Sequence, residues 1–172
     1  MFLFWRKGFE ATSMNDLCDA MGVRSPSLYA AFGSKEALYL EAVERYVQTQ
    51  GPPIWSKLAE GATARAGIEN MLIAATENLP KSRVKPAGCM AALAAVGDEW
   101  PAAIARVMKK VRLETAVTNG ELPAATDVDG LSRFYLSVYQ GMAIQARDGA
   151  TQAELRGVAA AAMAAWPGDG QR

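Results

Sequence analysis

The chain contains no histidine, which removes the commonest general base and the commonest zinc ligand. Cysteine is nearly as scarce. Cys18 and Cys89 stand 71 residues apart and form no CxxC pair, which suits a reducing cytoplasm better than a disulfide scaffold. An excess of one charge is missing too: 18 basic residues balance 18 acidic ones. Net charge therefore points to neither nucleic acid nor membrane, and any nucleic-acid contact must come from local placement. No window approaches the run of about 18 apolar residues that a spanning helix needs. The opening "MFLFWRKGF" carries its charges after a five-residue apolar run, the reverse of a signal peptide, so no membrane partner is expected. No Ser or Cys nucleophile stands in a recognisable motif and no glycine loop could cradle a phosphate, which argues against an enzyme and calls for no cofactor.

What is present is apolar and helical. Hydrophobic residues make up 51% of 172, enough for a substantial core. Phe2, Trp5 and Phe9 recur at helical spacing, as do Met14, Leu17 and Met21. A longer helix is expected from Lys35 to about Gln50, ended by "GPP" at 51–53. Shorter helices follow near 54–60 and 64–79, then a polar loop at 80–88, an Ala-rich helix over 89–96 and one from Asp98 with Pro101 in its first turn. Two more helices complete the chain, the first through Leu131 to Met142 and the second over 151–166. No strand alternation is visible, and the fold class is all-α. One irregularity stands out. Ile104, Met108 and Val111 set a phase that calls for apolar residues near 115 and 118, where two Thr stand instead. Either the helix kinks there or residues are absent.

The stretch "VRSPSLYAAFGSKEAL" (23–38) holds the most specific signal. Ser13 and Asp16 read as a capping pair opening a helix that closes at Gly22. Ser25 is expected to cap the next, with Pro26 at its first position, and Ser34 to cap a third. Two short helices joined by "MGVRS" make a helix-turn-helix, whose second helix enters a major groove by its N-terminal residues. Ser25 and Ser27 are small and hydrogen-bonding, Arg24 can reach a phosphate or a guanine edge, and Tyr29 and Lys35 can hold phosphates. Helical hairpins of this kind also occur in proteins that never touch DNA. Residues 1 to 35 carry four basic and three acidic side chains, a net of +1, which is little for a phosphate-binding surface.

"GFEATSMNDLCDAMGVRSPSLYAAFGSKEALYLEAVERY" (8–46) closely resembles the DNA-binding domain of the TetR family of bacterial transcriptional regulators. The Gly-Phe before "ATS", the "MGV" turn and the "LYxxFGSKEAL" run fall in register. More loosely, "GCM" (88–90), "GELP" and "YQGMAIQARDGAT" (139–151) look like one branch of that family. The resemblance implies a DNA-binding domain over 1–46 and a regulatory domain over 47–172. It implies backbone contact by Thr12, Met14 and Asn15, base readout by Arg24, Ser25 and Ser27, and phosphate contact by Tyr29 and Lys35. Family members begin earlier than this chain, and their penultimate long ligand-domain helix is usually longer, so residues missing before Met1 and near Val111 are expected.

In the second half, Trp55, Met71, Cys89, Met90, Leu93, Trp100, Met108 and Tyr139 are candidate pocket residues for a small apolar or aromatic effector. Aromatics and Met at such spacing also build ordinary cores. Cys89, near Lys81, Arg83 and Lys85, raises redox sensing as a further idea, although buried thiols are usually inert packing. Leu131, Phe134, Tyr135, Val138 and Met142, with Leu155, Val158, Ala162 and Trp166, mark wide apolar faces on the last two helices. Such faces suit either a two-fold four-helix bundle or an intramolecular core, and the family resemblance favours a homodimer. The function these readings support is a ligand-responsive regulator of double-stranded operator DNA, a repressor. The rivals are a helical carrier without DNA binding and a helical-bundle enzyme.

Overall fold

The computed structural model describes residues 1–92, 108 and 112–167. Ten helices lie among them: α1 Phe2–Lys7, α2 Met14–Met21, α3 Ser25–Phe32, α4 Lys35–Gln50, α5 Pro52–Trp55, α6 Lys57–Glu60, α7 Ala64–Asn78, α8 Glu114–Thr118, α9 Val128–Arg147 and α10 Gln152–Ala164. No strand occurs among the described residues, and none of their helices is long and apolar enough to cross a membrane.

Local chemistry sets most of these boundaries. Ser13 accepts from the Asp16 N–H while Asp16 reaches back to Ser13, a reciprocal pair that starts α2. Gly22 closes it at φ 66°, a left-handed conformation open to glycine at little cost. The hydroxyls of Ser34 and Thr63 cap α4 and α7, and a Thr151–Glu154 capping box opens α10. Two expectations need correction. α3 is capped from Arg24 and not from Ser25, which is already its first helical residue. The N–H groups of Ser27 and Leu28 both donate to the Arg24 carbonyl, at 3.0 and 3.3 Å, so helical bonding already starts from Arg24, which makes no side-chain cap. Residues 90–92 form a turn where a helix was expected, and the rest of that segment, with the one from Asp98, lies outside the described residues.

Ile104 and Val111, which set the irregular phase, lie outside the described residues. Residues 112–113 make a π-helical turn leading into α8, and a π turn shifts the apolar phase of the residues after it. The Arg112 guanidinium there donates to the carbonyls of Gly61 and Thr63.

One contiguous core runs from Phe4 to Trp166. At one end α1 crosses α4 through aromatic contacts: Phe4 meets Tyr39 edge-on at 5.0 Å and Trp5 meets Tyr46 at 4.8 Å. At the other, α7 buries Ile68, Met71, Leu72 and Ala75 completely against α5, α6, α9 and α10. α4 runs through residues 46 and 47 without a break.

The approach of α6 to α7 depends on glycine. A Cβ on Gly67 would lie 2.5 Å from the Leu58 carbonyl oxygen and 2.7 Å from Nε of Arg112. Gly67→Ala is therefore expected to destabilise the fold by about 1–3 kcal/mol, the usual cost of overpacking, read as a lower urea midpoint at unchanged slope.

Candidate nucleic-acid interface

α2 and α3 are held together from inside by Leu17 and Leu28, both buried. The backbone N–H of Val23 returns to the Cys18 carbonyl at 3.1 Å, which fixes the angle between the two helices. With Leu28 turned inward, the start of α3 faces out. Arg24 and Ser27 are exposed, Ser25 is half-buried, and Tyr29 is 48% exposed. Asn15 is exposed and Met14 half-buried on the first turn of α2.

Lys35, at the start of α4, has its ammonium 4.3 Å from the centre of the Phe9 ring, a cation–π contact. Phe9 itself packs edge-on against Tyr39 at 5.1 Å. The sequence pattern offered no sign of this seat, because ring and ammonium come from different parts of the chain. Thr12 departs from its expected role. It is wholly buried and its hydroxyl donates to the Gly8 carbonyl at 2.6 Å. Its side chain braces the turn between α1 and α2 and does not reach the surface.

The candidate effector residues divide in the same way. Met71, Cys89, Met90, Met108 and Tyr139 are buried, Trp55 is half-buried, and Leu93 and Trp100 lie outside the described residues. Trp55 and Tyr139 meet at 4.7 Å between ring centres. Cys89 neighbours the phenols of both Tyr46 and Tyr139, and the Ala92 N–H donates to its sulfur at 3.3 Å. Burial first, and then the neighbouring Cys89, hold both phenols well above the usual tyrosine range. Tyr46 was no part of the candidate set. Nothing in the spacing of residues 46, 89 and 139 signals that they meet. Among the described residues no group of three or more Cys, Asp or Glu side chains could hold a metal ion.

Of the candidate interface residues, five turn inward. Tyr135, Met142, Leu155, Ala162 and Trp166 are buried within this one chain, with the Tyr135 hydroxyl donating to the Ala162 carbonyl at 3.3 Å. They form the α9–α10 core and not a free face. Phe134 is 41% exposed and Ile144 48%, while Leu131, Val138 and Val158 are half-buried. An open trough of about 800 Å³ also runs along the α9–α10 turn, past Gln145, Gly157, Val158 and Ala161.

The paired α2 and α3 with an outward-facing helix start define a helix-turn-helix protein of the kind that regulates transcription. Residues 1–42 match the family described as bacterial regulatory proteins, tetR family. The HTH-type transcriptional repressor ComR of Escherichia coli K12 is 32% identical over 97% of this chain and 85% of its own length. The repressor BdcR of the same strain is 46% identical, over 30% of this chain and 26% of its own. Among solved structures, the TetR family regulator CifR, as a cysteine mutant complexed with 26-bp double-strand operator DNA, superposes with a TM-score of 0.88 at 32% identity, covering 96% of this chain and 92% of CifR. The chain belongs to the TetR family of transcriptional regulators.

Asp16 makes the start of α2 sensitive to acid. Its carboxylate accepts from the Lys7 ammonium at 2.8 Å and from the Ser13 N–H and hydroxyl at 2.9 and 2.8 Å. These bonds, Lys7's foremost, hold it far below the usual carboxylate range. A depressed native pKa adds stability above the unfolded value of about 3.9 and loses it as pH falls further. Asp16→Asn should therefore lower the melting temperature at pH 7, and the gap from wild type should narrow progressively as pH falls below about 4.

Proposed function

We propose that the protein is a homodimeric repressor that holds double-stranded operator DNA through α3 and releases it on binding a small apolar or aromatic effector. The observation that carries this reading is the exposed start of α3, with Arg24, Ser27 and Tyr29 turned out while Leu28 anchors the helix from behind. Arg24 and the two serines suit base edges, Tyr29 and the Lys35 ammonium suit phosphates, and residues 1–46 form the DNA-binding unit. Kinship with ComR and with operator-bound CifR supports the same assignment.

Residues 47–172 form the regulatory and dimerising half of this scheme. The effector lodges beside Trp55, Met71, Cys89, Met90 and Tyr139, a mostly apolar lining whose polar groups are the Cys89 thiol and the tyrosine hydroxyls. α4 is the connecting rod. Its 16 residues reach about 24 Å, from Lys35 to the level of Tyr46 and Cys89. A shift of its far end changes the spacing of two recognition helices away from the ~34 Å between successive major grooves. The second copy covers the outward stripe of Leu131, Phe134 and Val138, together with Val158.

The test is a binding assay on DNA flanking the protein's own gene. Lys35→Ala and Tyr29→Phe should weaken binding to all sequences alike, and Lys35→Ala should reduce the salt slope by about one. Arg24→Ala or Ser27→Ala should change which sequence is preferred. Wild-type protein that binds this DNA no better than a random duplex would sink the reading. For assembly, Phe134→Glu places a charge on the outward face without disturbing the inner core, and sedimentation should show dimer for wild type and monomer for the variant.

A further inference from the structure

The loop at 80–88 folds back onto α1 and is internally fastened. The Gly88 N–H donates to the Leu79 carbonyl at 2.8 Å and the Ser82 N–H to the Lys85 carbonyl at 3.2 Å. The Ser82 hydroxyl accepts from the N–H groups of Val84 and Lys85. The Lys85 ammonium donates to the Asn78 carbonyl, and burial lowers its pKa. Lys85 is thereby committed to the protein.

Between this loop and α1 lies a groove of about 300 Å³. Its walls include Phe2, Val84 and Pro86, with Phe2 43% and Val84 82% exposed. Three further cations line it: Arg6, Lys81 and Arg83, all exposed. No acidic residue is among the lining side chains, and none of these three cations is in an ion pair among the described residues. Like charges gathered on an apolar surface repel one another, and an opposite charge brought among them is held by all three.

We propose that this groove is a binding site for a small organic anion, a carboxylate or phosphate group carried on a compact apolar body. The headgroup sits among Arg6, Lys81 and Arg83, where the guanidinium forks match either oxyanion in a two-point contact. The apolar body covers Phe2 and Val84. A ligand so placed ties α1 to the loop that leads directly into Cys89, and so fastens the helix-turn-helix end of the molecule to the regulatory end. The site is separate from the Trp55–Cys89–Tyr139 cluster and does not depend on operator binding.

The experiment uses the full chain with four probes: benzoate, phenyl phosphate, and the uncharged benzamide and benzyl alcohol. Calorimetry should show benzoate or phenyl phosphate binding once per chain and raising the melting temperature, with the uncharged probes at least tenfold weaker. Arg83→Gln and Lys81→Gln should each weaken the anions about tenfold. Arg83→Lys keeps the charge but loses the fork, so it should bind the anions more weakly than wild type and more tightly than Arg83→Gln. Arg147→Gln, on the far part of α9, should change nothing. These positions are exposed, so folding is expected to survive and is checked by circular dichroism. Equal binding of benzamide and benzoate, or anion binding indifferent to Arg83→Gln and Lys81→Gln, would overturn the proposal. So would the finding that Arg83→Gln flattens the salt dependence of binding to a random duplex while leaving the small anions untouched, which would give these cations to the DNA backbone.

Discussion

Tyr46 joins the two ends of this molecule. Its ring packs edge-on with Trp5 of α1, and on the other side its buried phenol neighbours Cys89. A bulky ring buried at this point resists any slide or roll of α4 against its neighbours, because sliding α4 would open a cavity on one side of it and overpack the other. The register of α4 is thus pinned at one point, and the positions of α1, of Tyr139 and of Trp55 are set relative to it.

The helices were largely legible because their ends are written in residue chemistry. Ser13, Ser34 and Gly22 do what their types predict. α3 shows the limit of that logic, since the N–H groups of Ser27 and Leu28 bond the Arg24 carbonyl and the boundary moves back to Arg24 with no side-chain cap. The phase slip before α8 was visible as an anomaly. The π turn at 112–113 involves backbone bonding that side-chain pattern does not encode.

The candidate sites were legible in a different and weaker sense. Spacing shows that a residue lies on an apolar face, but not which neighbour that face meets. Tyr135 and Phe134 are adjacent aromatic residues, yet one is fully buried and the other 41% exposed. Thr12 looked like a surface contact because its type permits one, and only the nearness of the Gly8 carbonyl decides otherwise. The meeting of Tyr46, Cys89 and Tyr139 is a purely tertiary fact, with no local trace.

The seat of Lys35 on Phe9 has a consequence for rate. A free lysine side chain samples many rotamers, and ordering it costs up to about 2 kcal/mol. Here the ring restrains the ammonium before anything arrives, so an incoming anion meets a charge already in place and loses less entropy on capture. The ring is itself wedged against Phe4 and Tyr39. A change deep in that aromatic stack would therefore be felt at the surface as a floppier lysine, with the charge itself intact.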